Sequence, residues 1–250
     1  MPWAMSQRIL LIGATSAIAQ GAARTWAARG DTMVLCGRHE DRLKLVAADL
    51  EVRGARQVEV LPADFDNTEA LEQVFDKAAE AVGEIDVVLV AHGLLGDQKE
   101  AEHSYEETEK VLRVNFLSVV ALLTPVANAF EARGSGTICV ISSVAGDRGR
   151  QSNYVYGTAK GALNVFLQGL RNRLFKAGAN VVTVKPGFVS TPMTAHLDQG
   201  PLFADPDKVG RGVVDAIDRR ANEVYLPGFW RPIMGAIRSI PEAVFKRLSL

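Results

Sequence analysis

The run Arg8-Ile9-Leu10-Leu11-Ile12-Gly13-Ala14-Thr15-Ser16-Ala17-Ile18-Ala19 holds the first strong structural signal in the chain. Residues 8–12 form a short apolar run that stops at Gly13. Such a run is too short for a helix, and its lack of alternation suits a strand buried on both faces. Small residues follow, and residues 18–29 read as an Ala-rich amphipathic helix ended by Gly30.

The same pair recurs along the chain. Strands are expected over 32–36, 57–61, 86–90, 137–142, 180–185 and 223–226, and helices over 40–53, 68–82, 106–133, 154–177 and 209–220. Buried strands alternating with helices imply βαβ units. The expected fold is therefore α/β, a doubly wound parallel sheet of about seven strands (a Rossmann fold) with helices on both faces. No repeat, low-complexity tract or linker interrupts the pattern, so residues 1–250 read as one domain, with 229–250 as its basic amphipathic C-terminal segment.

Composition narrows the function classes. Of 250 residues, 48% are hydrophobic, which is ample for a core and too many for a disordered chain. The 28 Lys+Arg against 29 Asp+Glu leave a net charge of −1, without the basic excess of a nucleic-acid binder. Cys36 and Cys139 sit in apolar runs and read as buried thiols. No Cys/His cluster has zinc spacing, and the acidic stretch 97–110 (six Asp/Glu, two Lys) reads as a solvated helix face, so no metal is expected. The start lacks a basic region followed by an apolar core, and the apolar stretch 116–126 is broken by Ser118, Thr124 and Pro125. A cytoplasmic protein is expected.

A tight turn between a strand and a helix is where a doubly wound sheet binds a dinucleotide, because free N–H groups at the helix start face a pyrophosphate. Gly13, Thr15, Ser16, Ala17 and Ile18 are the candidates here. Without a ligand, the same residues are simply a tight strand-to-helix turn. The second strand ends Cys36-Gly37-Arg38-His39, with no acidic residue for a ribose 2′-hydroxyl. Arg38 can meet a 2′-phosphate, which favours NADP(H) over NAD(H), or can be a solvated residue at a helix start. Asp64, beside Phe65, can accept from an adenine amino group or cap a turn.

Tyr156 and Lys160 lie four apart on a helix, hence on one face. A neighbouring cation stabilises phenolate, so Tyr156 is expected to have a pKa below the usual ~10 and to serve as an acid/base. Ser143 closes the fifth strand, and Pro186-Gly187-Phe188-Val189-Ser190-Thr191-Pro192 follows the sixth. All of these fall at the C-terminal edge of the sheet, where such folds bind ligands.

On these residues, together with Asp64, Ala91-His92-Gly93 and Asn115, the chain resembles the short-chain dehydrogenase/reductase family. Ala17 and Ala19 stand where that family commonly has glycine, and Ala91-His92-Gly93 where Asn-Ala-Gly is common. The resemblance implies that Tyr156 donates a proton to a carbonyl oxygen and that Lys160 lowers the Tyr156 pKa and holds the nicotinamide ribose. It also implies that Ser143 hydrogen-bonds the substrate carbonyl and that Asn115 holds a water for a proton relay. Ala91, His92, Gly93, Pro186, Gly187, Val189 and Thr191 would line the dinucleotide site, with Thr191 on the carboxamide or a phosphate. A homodimer or homotetramer through the helices at 106–133 and 154–177 is implied as well.

Further stretches resemble a narrower group, the reductases of decaprenylphosphoryl-2-keto-pentose: residues 92–97, 153–157, 191–197 and 240–248. This implies ketone reduction on a polyprenyl-phosphate-linked keto-sugar, with a separate oxidase supplying the ketone. Reduction of another hydrophobic ketone, of 3-oxoacyl or steroid type, and a non-catalytic dinucleotide-sensing scaffold are the alternatives. Of the four histidines, His196 is the one placed to touch substrate, or it is an exposed lid histidine with no role. The tail carries Arg231, Arg238, Lys246 and Arg247 among apolar residues. Such a segment can lie peripherally on the inner membrane surface, pack over the substrate pocket, or sit at a subunit interface.

Overall fold

β1 (Arg8–Ile12) is an interior strand because both its faces are apolar. Ile9 and Leu11 pack with Trp26, Leu35 and Leu89 on one side, and Leu10 and Ile12 with Val88, Leu122 and Phe130 on the other. β2 (Thr32–Gly37), β3 (Gln57–Pro62), β4 (Val87–Val90), β5 (Thr137–Ile141), β6 (Asn180–Pro186) and β7 (Glu223–Leu226) complete one seven-stranded sheet. Its order is β3-β2-β1-β4-β5-β6-β7, and every pairing is parallel. The computed structural model describes residues 6–195 and 197–248, except the side chains of Thr68 and Glu69.

The helices are α1 (Ala17–Ala27), α2 (Glu40–Val52), α3 (Thr68–Glu72), α4 (Val74–Val82), α5 (Gln98–Ala101), α6 (Tyr105–Leu112) and α7 (Ser118–Arg133). They continue with α8 (Tyr154–Phe175), α9 (Pro206–Asp218), α10 (Trp230–Ser239) and α11 (Glu242–Phe245). Residues of α1, α2 and α9 cover one face of the sheet; residues of α3, α4, α7 and α8 cover the other. This is the doubly wound Rossmann-like arrangement expected from the alternation of runs.

Two expected helices are interrupted. The 68–82 helix breaks at Gln73 into α3 and α4. Between α6 and α7 the chain makes a π-helical turn, Arg113–Leu117. There the Asn115 side chain donates to Val111 O (2.8 Å), the carbonyl that its own N–H would take in an α-helix, so the ladder widens. The whole run Tyr105–Arg133 is, among the described residues, long and apolar enough to cross a membrane. Its apolar side, including Leu122, Leu123 and Phe130, is buried on the sheet.

At the sheet's C-terminal edge Lys185 of β6 holds three elements together. Its Nζ donates to Asp147 (2.7 Å), in the turn after β5, and pairs with Glu223 of β7 (2.8 Å). Tyr225 Oη donates to the other Asp147 oxygen (2.7 Å). The Lys185 and Asp147 side chains are only 4% and 3% exposed. Lys185→Met should cost about 3–5 kcal/mol in urea denaturation, because Asp147 is left buried without its cation. Lys185→Met/Asp147→Leu should recover much of that loss, and a double variant no more stable than the single would contradict the pairing.

Candidate active site

β1 and β4 diverge where the strand order switches, and a cleft of about 1680 Å³ opens above them. Gly13 makes this possible. Its φ is +77°, and a Cβ there would lie 2.5 Å from the backbone N of His92. Ser16 caps α1 without a side-chain hydrogen bond, and no acidic residue lies in the first turn. The amide groups of that turn are therefore left for an anion.

The cleft wall holds most of the expected dinucleotide residues: Gly13, Thr15, Ser16, Ala17, Ile18, Arg38, Phe65, Ala91, His92, Gly93, Pro186, Gly187, Val189 and Thr191. Arg42, in the first turn of α2, adds to the same lining a second guanidinium that was not singled out from the sequence. Asp64 is not on the wall. It is exposed, and its carboxylate accepts from the backbone N–H of Asp66 (3.1 Å), closing a turn. Thr191 caps the short turn Pro192–Thr194. The expected substrate contact His196 lies outside the described residues.

His92 is buried (8% exposed), stacked on Phe65 with centroids 4.3 Å apart. Ser118 Oγ donates to Val114 O (2.7 Å), so it accepts from His92 Nε2–H (2.8 Å). Nδ1 is then a bare acceptor, and among the described residues it has no partner. Burial, with Lys160 nearby, pushes the ring down to about 3, so it is neutral at any working pH.

Deeper in the cleft stand Ser143, Tyr156 and Lys160. The Ser143 hydroxyl lies on the Tyr156 side of the cleft, where it favours the phenolate form. Ser143 Oγ also accepts from Ala145 N (3.1 Å), which fixes it at the start of the turn Val144–Asp147. Lys160 Nζ donates to Ile141 O (3.2 Å) and lies 5.7 Å from the Tyr156 ring centroid. The expectation of a depressed tyrosine pKa does not hold. Burial of the phenol pushes it up to about 12, outweighing the opposing influence of the Ser143 hydroxyl. Lys160 is itself lowered to about 8 by burial. The trio thus presents a protonated phenol beside a cation that titrates near neutrality.

Asn115 sits one layer beneath, fully buried. Its Nδ2 donates to Leu94 O (2.7 Å) and Val111 O, and its Oδ1 accepts from Leu94 N (3.1 Å). This clamps the loop after β4 to the π-helical turn. A Cβ on Gly93 would lie 2.9 Å from Asn115 Oδ1 and 3.6 Å from Lys160 Nζ, so Gly93 lets these two groups approach. Among the described residues no group of His, Cys, Asp or Glu could hold a metal. Both cysteines are buried, and burial pushes both thiols up.

The C-terminal segment packs on this site. Trp230 of α10 occupies the space over Gly187, where a Cβ would come within 1.9 Å of the indole. Val144, Trp230 and Met234 form a small core of their own. Arg148 donates to Ile237 O (2.6 Å) and Ile240 O (2.7 Å) and lies over the Phe245 ring at 3.6 Å, holding the end of α10 and α11.

Residues 7–201 match the short chain dehydrogenase family. An uncharacterized oxidoreductase of Mycobacterium tuberculosis is 35% identical over 240 residues, 96% of each chain. One of Streptomyces coelicolor is 34% identical over 241 residues, covering 96% of this chain and 95% of the relative. A short-chain dehydrogenase from Sphingobium yanoikuyae, solved in complex with NADPH, superimposes with a TM-score of 0.81 at 26% identity, over 95% of this chain and 97% of the other.

Lysine-selective carbon NMR should show one side-chain resonance titrating near pH 8 and missing in Lys160→Met. If every lysine titrates above pH 10, the environment described for Lys160 is wrong.

Proposed function

Because the chain belongs to the short-chain dehydrogenase family and is an oxidoreductase of that kind, we propose that it reduces a ketone to a secondary alcohol with NADP(H). The convergence of Ser143, Tyr156 and buried Lys160 in one cleft carries this reading. The first turn of α1 suits a pyrophosphate, and Arg38 with Arg42 suits a 2′-phosphate. The NADPH of the Sphingobium structure supports the same preference. When bound, the reduced nicotinamide supplies the hydride.

The chain's own residues do the rest. Ser143 and Tyr156 hold the carbonyl oxygen between two hydroxyls and polarise it. As negative charge grows on that oxygen, Tyr156 gives it a proton. A raised pKa keeps that proton on the phenol until it is needed. Lys160, as ammonium, stabilises the phenolate left behind. Asn115 holds the loop that carries Gly93.

On the finer substrate, we favour a keto-sugar linked to a polyprenyl phosphate. The resemblance of residues 92–97, 153–157, 191–197 and 240–248 supports it. So do Leu94, Leu202 and Phe203, apolar residues in the cleft lining. Those apolar walls equally suit a 3-oxoacyl or steroid ketone, the second reading. A lipid-linked substrate would bring the exposed cations of the tail, Arg231, Arg238, Lys246 and Arg247, to an anionic membrane surface. A separate oxidase would supply the ketone. Exposed Leu117 and Val165, on the helices expected at a subunit interface, suit a homodimer or homotetramer of single-domain chains.

Tyr156→Phe should reduce ketone turnover by about 10²–10⁴-fold while NADPH affinity, read by fluorescence titration, holds. Retained turnover would remove Tyr156 from the chemistry. Wild-type reduction should be flat below about pH 8 and fall above it, as Lys160 loses the charge that stabilises phenolate. Arg38→Ala/Arg42→Ala should weaken NADPH binding and spare NADH binding; equal weakening of both would overturn the cofactor preference.

A further inference from the structure

The helix that carries Tyr156 begins without help from its own N-cap residue. The first N–H groups of a helix point out of its end and need acceptors. An asparagine at that place usually supplies one through its side chain. Asn153 precedes α8 and makes no such bond to the first turn. The acceptor comes instead from 57 residues earlier in the chain. Gln98 Oε1 accepts from Val155 N (3.2 Å), the backbone amide of the residue before Tyr156.

Gln98 is itself firmly held. It is the first residue of α5, a helix capped by Asp97, whose side chain accepts from Lys99 N (2.8 Å) and Glu100 N (3.1 Å). Asp97 N donates to Oε1 of the buried Glu107 of α6 (3.3 Å), and Glu107 pairs with Lys110 (3.1 Å). At the other end of the same loop, Asn115 bonds Leu94. The loop whose Leu94 and Leu95 line the cleft is therefore bonded to α6, to the π-helical turn and, through Gln98, to α8.

The other grip on α8 is a packing contact. A Cβ on Gly157 would lie 3.0 Å from Ala145 O, and one on Gly146 would lie 2.6 Å from the Lys160 carbonyl carbon. The turn that presents Ser143 thus packs closely against the flank of the helix. The Gln98 bond acts on its end, in the turn that holds the phenol.

We propose that Gln98 is a positioning residue for Tyr156: its side-chain oxygen caps α8 in place of Asn153 and so fixes the turn that carries the phenol. This rests on the ketone-reductase reading, in which Tyr156 is the proton donor. The effect passes through the backbone of Val155 and not through contact with the reacting atoms.

The test uses the purified full chain with NADPH and two probe ketones, D-ribulose and acetoacetyl-coenzyme A. Gln98→Met keeps the length of the side chain and removes the acceptor; Gln98→Glu keeps an acceptor oxygen. Gln98→Met should lower kcat about 10-fold on whichever probe the wild type reduces, with KM and NADPH affinity unchanged. A displaced phenol fails in the transition state and not in binding. Gln98→Glu should restore most of kcat. Hydrogen exchange followed by mass spectrometry should show residues 154–158 exchanging on the order of 10-fold faster in Gln98→Met, with recovery in Gln98→Glu. Unchanged kcat or unchanged exchange in Gln98→Met overturns the proposal, and so does a Gln98→Glu variant as impaired as Gln98→Met. The two readings fail separately. A wild type that reduces neither probe counts against ketone reduction, and exchange at 154–158 then decides the cap. Slow exchange in wild type and Gln98→Glu with fast exchange in Gln98→Met supports it; equal exchange in all three overturns it.

Discussion

Two lysine ammoniums are buried at the C-terminal rim of the sheet, and the difference between their partners organises the molecule. Lys160 and Lys185 are each 3% exposed. Lys185 faces two carboxylates, which more than offset the cost of its burial and hold its pKa above the ordinary lysine value. Lys160 has only the Ile141 carbonyl as hydrogen-bond acceptor, and burial takes it down to about 8. Pairing makes the first a structural clamp. The second, paired only with a neutral oxygen, can change charge near neutrality. Its cost has a definite sign: below pH 8 the folded state carries a desolvated ammonium that the unfolded chain would solvate. That destabilisation eases as pH rises from about 8 towards 10.5.

The Lys185 clamp also explains how a C-terminal segment comes to belong to the site. Asp147 ends the turn that Ser143 begins, so fixing Asp147 fixes the backbone that presents the Ser143 hydroxyl. Arg148, the next residue, gathers the carbonyls at the end of α10. Trp230 reaches back over Gly187 at the end of β6. The apolar face of α10 is thus spent on the loops of the cleft rather than left free. Of the placements open to the tail from sequence, packing beside the pocket accounts for Trp230 and Met234, while the exposed cations lie elsewhere on the segment.

The strands and the order of site residues were legible because they depend on local rules. Buried parallel strands need apolar runs, and each run ends in a loop at one rim. The parts not legible depend on burial and on partners far away in sequence. A Tyr-x-x-x-Lys spacing shows that a cation is near; it does not show that the phenol is desolvated enough to rise to about 12. Asp64 looks like an adenine ligand by position, yet its carboxylate is turned to the Asp66 N–H. The π-helical turn follows from Asn115 bonding both Leu94 and Val111, a contact across 21 residues that no periodicity reveals. Arg42 joins the lining because α2 begins at the end of β2, a placement that its spacing from the non-helical Arg38 does not reveal.

Buried polar groups in this protein divide by what fixes them. Asn115 makes three bonds, to Leu94 N, Leu94 O and Val111 O, and so ties the loop after β4 to the π-helical turn. Ser142 Oγ donates to Asn164 Oδ1 (2.6 Å), which joins the end of β5 to α8. Other buried atoms, among them Asn164 Nδ2, Asn180 Nδ2 and His92 Nδ1, have no partner among the described residues. The first kind fixes backbone segments by hydrogen bonding; His92, by contrast, is fixed in its protonation state, because burial and the nearby Lys160 keep its ring neutral.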